Sequence, residues 1–276
     1  MICFFVGGIN RSGTTLLQSI LCSDSKTNPL IHEVSYFRSI VDAYTTGKIK
    51  FNEHGKYYFD SIEEMRAFTA GWAKDFLEHT RKKYPTSSHL VLKHPPLTPK
   101  FPAIFELLNT TGIDVRFFII IRDPRDVAAS LVQVGERLRK KGDPEGKTLP
   151  RDMNTLAKYF IQTYMPALTG SSPAYQQRVT VIRYEDLVST PLEVIEAIRK
   201  ASGLALDGIN VHSDWAHDQL DYNDLRTTQN AWLSDLWGKG ISKAKVGSYK
   251  QILSPEEIME LETACAAPMK TFGYTS

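Results

Sequence analysis

The chain has 276 residues, 42% hydrophobic and 23% charged, with a net charge of +2. That length can bury the core of one large α/β domain. The balanced charge argues against nonspecific nucleic-acid binding, while leaving room for a local basic pocket that takes a small polyanion. No apolar run reaches the roughly 18 residues a membrane span needs; Cys3, Cys22 and Cys265 lack C-x-x-C spacing and read as core filling in a reducing compartment; and the apolar start has no basic n-region. A cytoplasmic location is therefore expected.

Residues 2–6 are an apolar run that predicts a strand, and it feeds Gly8-Ile9-Asn10-Arg11-Ser12-Gly13-Thr14-Thr15. The spacing is that of the phosphate-binding loop G-x-x-x-x-G-K-[ST], with Thr14 in place of the lysine. Residues 15–21 continue with helical periodicity, so the context is strand, glycine turn, helix, and backbone N–H groups at the helix start can cradle a phosphate. The lysine of a nucleotide triphosphatase loop serves the β- and γ-phosphates, and its Ser/Thr serves Mg²⁺. Its loss points to a nucleotide with no γ-phosphate to hold.

Residues 28–34 return to extended or loop structure and contain His32 and Glu33. Residues 35–84 are helical in period, with Ser61-Ile62-Glu63-Glu64 reading as a capping box before the aromatic residues Phe68, Trp72 and Phe76; this block is expected to form a helical layer or lid on the acceptor side. Leu90-Val91-Leu92 is a short strand ending at Lys93, followed by His94 and a break at Pro95, Pro96 and Pro99, then a helix over 101–108. Residues 115–121 form the strongest strand, apolar throughout apart from Arg116, as expected of a central parallel strand covered on both faces. It ends at Arg122, and Asp123-Pro124-Arg125-Asp126 supplies an N-cap, a proline at the first helical position and an acidic first turn. Further on come a basic stretch at 135–150, a helix over 156–168, a strand over 179–184, and Thr190-Pro191-Leu192-Glu193 capping a helix that runs through 201. An irregular region over 207–248 carries His212, His217, Trp215, Trp232 and Trp237, and Ser254-Pro255-Glu256-Glu257 caps a last helix.

Four parallel-type strands alternating with helices predict a single α/β domain. Its architecture is an open, P-loop-type parallel sheet flanked by helices, with the ligand crevice outside the carboxyl ends of the strands. The loop at 8–15, Lys93, Arg122 and Tyr184 all fall at such ends. Arg122 and Ser130, eight residues apart across a strand end and the following helix, can supply a guanidinium fork and a hydroxyl to one phosphate. Two separate phosphate sites suit a nucleotide phosphorylated at both ends of its ribose. The plainer roles are an ion pair of Arg122 with Asp126 or Asp123, Tyr184 as a core aromatic, and solvated positions for His212 and His217.

Taken together, these motifs resemble the sulfotransferases that use 3′-phosphoadenosine 5′-phosphosulfate (PAPS), and within that family the branch of bacterial small-molecule and protein-tyrosine sulfotransferases. The resemblance implies that Arg11, Ser12, Gly13, Thr14 and Thr15 hold the 5′-phosphosulfate and that Arg122 and Ser130 hold the 3′-phosphate. It makes Glu33 the general base, with His32 and His94 as alternatives, since the match at Glu33 requires a one-residue length difference. Lys93 of Lys93-His94-Pro95 matches the branch's lysine-acid-proline segment, with His94 in place of the acid. Tyr184 of Tyr184-Glu185-Asp186-Leu187 lies near the nucleotide by the same resemblance. Ser242, Lys245, Gly247 and Lys250 belong to a basic loop that closes over it, where Ser248-Tyr249 replaces the usual polar-tryptophan pair. The implied reaction moves a sulfuryl group from PAPS to a hydroxyl, or an amine, of a small or carrier-tethered acceptor, with no metal required and no nucleic-acid partner. A small-molecule kinase and a non-catalytic nucleotide-binding module remain as alternatives.

Overall fold

The computed structural model describes residues 1–170, 172–209, 231–232, 234, 236 and 239–274. The residues His212, Trp215, His217 and Trp237 of the irregular region lie outside the described residues. Four strands, β1 (Ile2–Gly7), β2 (Leu90–Lys93), β3 (Asp114–Ile121) and β4 (Val179–Arg183), form one parallel sheet in the order β2-β1-β3-β4. Phe5 stands in register with Leu92 on one side and Phe117 on the other. The central strands β1 and β3 are apolar over most of their length, Asp114 and Arg116 at the start of β3 excepted, because helices cover both of their faces.

The period-two alternation of the strands sorts the core into two layers. Cys3, Phe5, Leu90, Leu92, Phe117, Ile119 and Ile121 point into the larger layer. There they meet α2 (Ser35–Ile49), α3 (Ile62–Lys82), α4 (Phe101–Leu108), α5 (Pro124–Lys140) and α6 (Met153–Leu168). Phe4, Val6, Val91, Phe118, Ile120 and Ile182 point the other way, onto α1 (Thr14–Leu21), α8 (Tyr184–Ser189) and α9 (Pro191–Ser202). Among the described residues, the remaining α-helices are a single turn, α7 (Pro173–Gln176), and the C-terminal α10 (Pro255–Ala264) and α11 (Ala266–Phe272). Cys3, Cys22 and Cys265 are all buried thiols, and burial raises the pKa of each.

Local signals hold with three differences. Ser254 and Glu257 make a full capping box, each closing on the other's backbone. Ser61 accepts from Glu64 N at 3.1 Å, but the Glu64 carboxylate turns to Asp60 N instead, so only half of that box forms. Thr190 precedes α9 without a side-chain cap, its hydroxyl donating back to Asp186 O. Strand β4 stops at Arg183, because Tyr184 already opens α8.

One fully buried side chain finishes the edge of β2. Asn28 Oδ1 accepts from Val91 N at 2.6 Å and Nδ2 donates to Val91 O at 3.2 Å, so a side-chain amide stands in for a missing strand partner. Asn28→Ala leaves both Val91 groups buried and unpaired. It is expected to cost about 2 kcal/mol or more, read as a lower urea midpoint at unchanged m-value; an unchanged midpoint would mean that the edge is closed by other means.

Candidate functional site

The turn between β1 and α1 is built from backbone conformations that few residues accept. Gly8 has φ 144°, Arg11 φ 75° and Gly13 φ 100°. A Cβ on Gly8 would stand 2.5 Å from Ile120 O, and one on Gly13 would stand 2.7 Å from the Tyr184 ring. Both positions therefore need glycine for space as well as for conformation. The loop is fastened from below. Gly8 N donates to Thr98 Oγ1 at 2.8 Å, and Ile9 N donates to the Tyr164 hydroxyl at 3.1 Å, which itself donates to Ile120 O at 2.9 Å. Ser12 is fully buried and its hydroxyl donates to Ile9 O at 2.7 Å, so this side chain staples the turn and does not face the cavity. Gly13 is the N-cap of α1. The first N–H groups of that helix have no intrahelical acceptors and carry its positive dipole end, which favours an anion there.

Arg122 leaves the end of β3 almost fully buried and lies 4.6 Å above the Tyr184 ring. Its Nη1 donates to Arg11 O at 3.0 Å and its Nη2 to Lys245 O, so one guanidinium ties the loop to the C-terminal segment. Asp126 Oδ2 is 3.7 Å from Nη2, which fulfils the plainer ion-pair role, while Nε is buried without a partner. Ser130 takes its hydrogen bond from Arg11 Nε at 2.9 Å, and Arg11 also donates to Trp232 O. Arg122 and Ser130 thus share the cavity wall without touching each other. Asp126, 1% exposed, pins the C-terminal segment by accepting from Gly247 N at 2.8 Å, Tyr249 N at 3.0 Å and the Ser248 hydroxyl at 3.1 Å. Gly247, at φ 74°, makes that sharp turn possible.

On the opposite wall, Lys93 and His94 at the end of β2 converge on Glu33. Lys93 Nζ is 2.8 Å from Glu33 Oε1 and 3.4 Å from Thr15 Oγ1; His94 Nδ1 is 2.8 Å from Glu33 Oε2. Lys93 and His94 are buried, whereas the Glu33 side chain remains 43% exposed. Partial burial raises the carboxyl pKa, but the hydrogen bond from His94 and the charge and hydrogen bond of Lys93 outweigh it and hold the group at about 2. His94 Nε2 is walled in and has no partner.

A cavity of about 840 Å³ joins these walls. Arg11, Gly13, Thr14, Thr15, His32, Glu33, Lys93, His94, Arg122, Ser130, Tyr184, Ser242 and Lys245 all line it; Ser12, Gly247 and Lys250 do not. Lys250 is exposed, its ammonium 5.9 Å from the centre of the Tyr249 ring. Gln133 and Arg137 also line the cavity, three and seven residues beyond Ser130 on the same helix face; sequence reasoning missed Gln133 and took Arg137 as part of a basic stretch. Tyr164, Thr98 and Asp126, which hold the cavity together, carry no local sequence signal for that work.

A profile of the sulfotransferase family matches residues 4–208, which takes in β2, β3, β4, most of β1 and the walls around Lys93 and Arg122. The chain belongs to the sulfotransferase family. Among curated relatives, mouse (Mus musculus) carbohydrate sulfotransferase 5 is 28% identical over 205 residues, 68% of this chain and 49% of the relative. Mouse carbohydrate sulfotransferase 7 is 24% identical over 244 residues, 72% of this chain and 46% of the relative. The chain thus spans about half the length of the curated relatives it matches. In fold, it is similar to the sulfotransferase domain from the curacin biosynthetic pathway, with TM-score 0.56 and 18% identity over 96% of this chain and 97% of that one. It is likewise similar to the sulfotransferase domain of the Synechococcus PCC 7002 olefin synthase, with TM-score 0.54 and 17% identity over 95% and 94% of the two chains. Among the described residues, no helix is long and apolar enough to cross a membrane.

Asp126 gives this sulfotransferase site its most direct structural test. Asp126→Ala removes three hydrogen bonds and leaves Arg122 without its nearby carboxylate, a loss of about 3 kcal/mol. It should also open residues 242–250 to limited proteolysis; unchanged cleavage would show that the segment is held elsewhere.

Proposed function

We propose that this sulfotransferase moves the sulfuryl group of PAPS to a hydroxyl of a small or carrier-tethered acceptor. The observation that carries the reading is the pairing, across one cavity, of a lysine-free phosphate loop with the buried cation Arg122. The residues fit a doubly phosphorylated nucleotide in two respects. Gly8 and Gly13 keep the loop clear where any side chain would collide, and Arg122 Nε is an N–H left buried without an acceptor. The 5′ end belongs with the N–H groups of α1, Thr14, Thr15, Arg11 and Lys93; the 3′-phosphate belongs with Arg122 and Ser130; and Ser242, Lys245 and the turn at Gly247 close the nucleotide side.

Bound there, the donor supplies an activated sulfuryl group. The acceptor oxygen bonds to sulfur as the bond from sulfur to the 5′-phosphate oxygen breaks, and that oxygen keeps the electron pair. Negative charge grows on the departing phosphate, beside the helix N–H groups and the cavity-lining cations Lys93 and Arg11, an arrangement that lowers such a barrier. Glu33 takes the acceptor proton. It is the candidate base that faces the open cavity with a carboxylate, whereas His94 has one nitrogen engaged by Glu33 and the other enclosed. The exposed aromatic residues Tyr36 and Trp72, in edge contact at 6.5 Å, lie on the helices that follow Glu33 and suit an acceptor with a broad apolar or sugar face. The curated relatives are carbohydrate sulfotransferases by name, which supports trying carbohydrate hydroxyls first as acceptors.

Transfer of ³⁵S from labelled PAPS to a panel of hydroxylated acceptors tests the reading. Turnover is expected with at least one acceptor class and is expected to fall by about 100-fold or more in Glu33→Gln with donor binding not weakened; normal turnover in that variant would reject Glu33 as the base. Arg122→Ala is expected to weaken adenosine 3′,5′-bisphosphate binding by roughly ten-fold or more by calorimetry. Unchanged affinity would remove Arg122 from the nucleotide site.

A further inference from the structure

Lys93 stands between the two halves of the site. Its side chain is 6% exposed, so the ammonium depends on protein partners more than on bulk water, and it bonds both walls at once. On one side is Glu33 Oε1 at 2.8 Å; on the other, at 3.4 Å, is the hydroxyl of Thr15 in the first turn of α1, where a donor anion would sit. Nζ therefore already reaches the donor side of the site, and an anion there competes with Glu33 for it. Glu33, by contrast, has two tethers, and the second, His94, holds the oxygen that Lys93 does not. The other charged or titratable groups around this carboxylate are His32 on the same cavity wall, Tyr159 of α6, whose phenol pKa is raised by burial and by the Glu33 charge, and Arg38 of α2 near Tyr159.

The geometry points to Lys93 as a shared tether. Donor binding draws its ammonium off Glu33 and onto the phosphosulfate, while His94 keeps the freed carboxylate aimed at the acceptor. The inference rests on the donor reading given above and extends it to the order of events. With the loop empty, the carboxylate is doubly stabilised as an anion and is a poor proton acceptor. Once an anion occupies the loop, the lysine serves the leaving group and Glu33 recovers basicity just when the sulfuryl group is in place. The attraction favours the exchange, because a polyanion at the helix N-terminus outcompetes one half-exposed carboxylate for a single cation. His94 is then a positioning residue: it touches neither donor nor acceptor and acts through Glu33.

The wild-type chain crystallised with adenosine 3′,5′-bisphosphate gives the direct test. The expected complex has Lys93 Nζ within hydrogen-bond distance of the 5′-phosphate and no longer bonded to Glu33, with the contact between His94 and Glu33 retained. A bound bisphosphate with Lys93 still on Glu33 overturns the shared tether and leaves the donor reading standing. Loss of the His94 contact overturns the positioning role. Failure of the bisphosphate to bind, by calorimetry, overturns the donor reading and the tether with it. In solution, competition for Lys93 predicts that Glu33→Gln binds bisphosphate about two- to ten-fold more tightly than wild type; equal or weaker binding contradicts it. His94→Leu should lower kcat at unchanged donor KM and alter the acid limb of the pH profile. His94→Asn, whose side-chain N–H can stand near the position of Nδ1, should restore much of both. A loss that His94→Asn does not rescue, or one that tracks thermal stability alone, would assign His94 a purely structural role.

Discussion

The turn from β1 into α1 has to pass beneath a nucleotide-sized cavity with no side chain in the way, and the rest of the site is arranged around that constraint. Left-handed or extended positive-φ backbone at Gly8, Arg11 and Gly13 costs conformational energy, of the order of 1–3 kcal/mol for a non-glycine residue such as Arg11. The surroundings hold it in place. Thr98 and Tyr164 take the loop N–H groups from below, Ile120 O and the Tyr184 ring close the space above the glycines, and Arg122 accepts the task of binding Arg11 O. The strain is useful because it points the first N–H groups of α1 outward, so that an anion can be held by backbone alone.

Charge in the site is distributed to match. The loop has no lysine of its own, and the cation that reaches it comes from the end of the neighbouring strand β2, held in its apolar surroundings by a carboxylate. The second cation, Arg122, is buried, stacked on an aromatic ring and close to Asp126, and that carboxylate in turn fastens the segment carrying Ser242, Lys245 and Gly247. Each cation is therefore held between the loop and a carboxylate outside it. That double anchoring keeps both side chains beside the loop at a lower ordering cost than free lysines would impose.

Much of this was legible in the sequence, and the boundary of what was legible has a physical cause. The four strands, their parallel order of burial and the phosphate loop follow from short-range signals: continuous apolar runs, glycine spacing and proline breaks. Lys93, Arg122 and Tyr184 could be located because strand ends in an open parallel sheet converge. Pair geometry was less accessible. Arg11 in a left-handed conformation directs its side chain to Ser130, so the arginine that meets that hydroxyl is the one in the loop and not the one at the strand end. Ser12 looks like a phosphate ligand by its position, yet the same tight turn brings its hydroxyl onto Ile9 O. Asp126 reads locally as an acidic first turn, and only the fold brings residues 247–249 onto it.

On the proposed reading, the two anion sites form one clamp for a nucleotide phosphorylated at both ends of its ribose, without a metal ion to bridge them. Isothermal titration in the presence of a chelator, comparing adenosine 3′,5′-bisphosphate with adenosine 5′-monophosphate, decides whether both sites act on one ligand. The bisphosphate should bind at least ten-fold more tightly, as expected when a second phosphate gains a charge-assisted contact worth about 1.5–3 kcal/mol. Equal affinity for the two nucleotides, or binding selective for Mg·ATP, would contradict it.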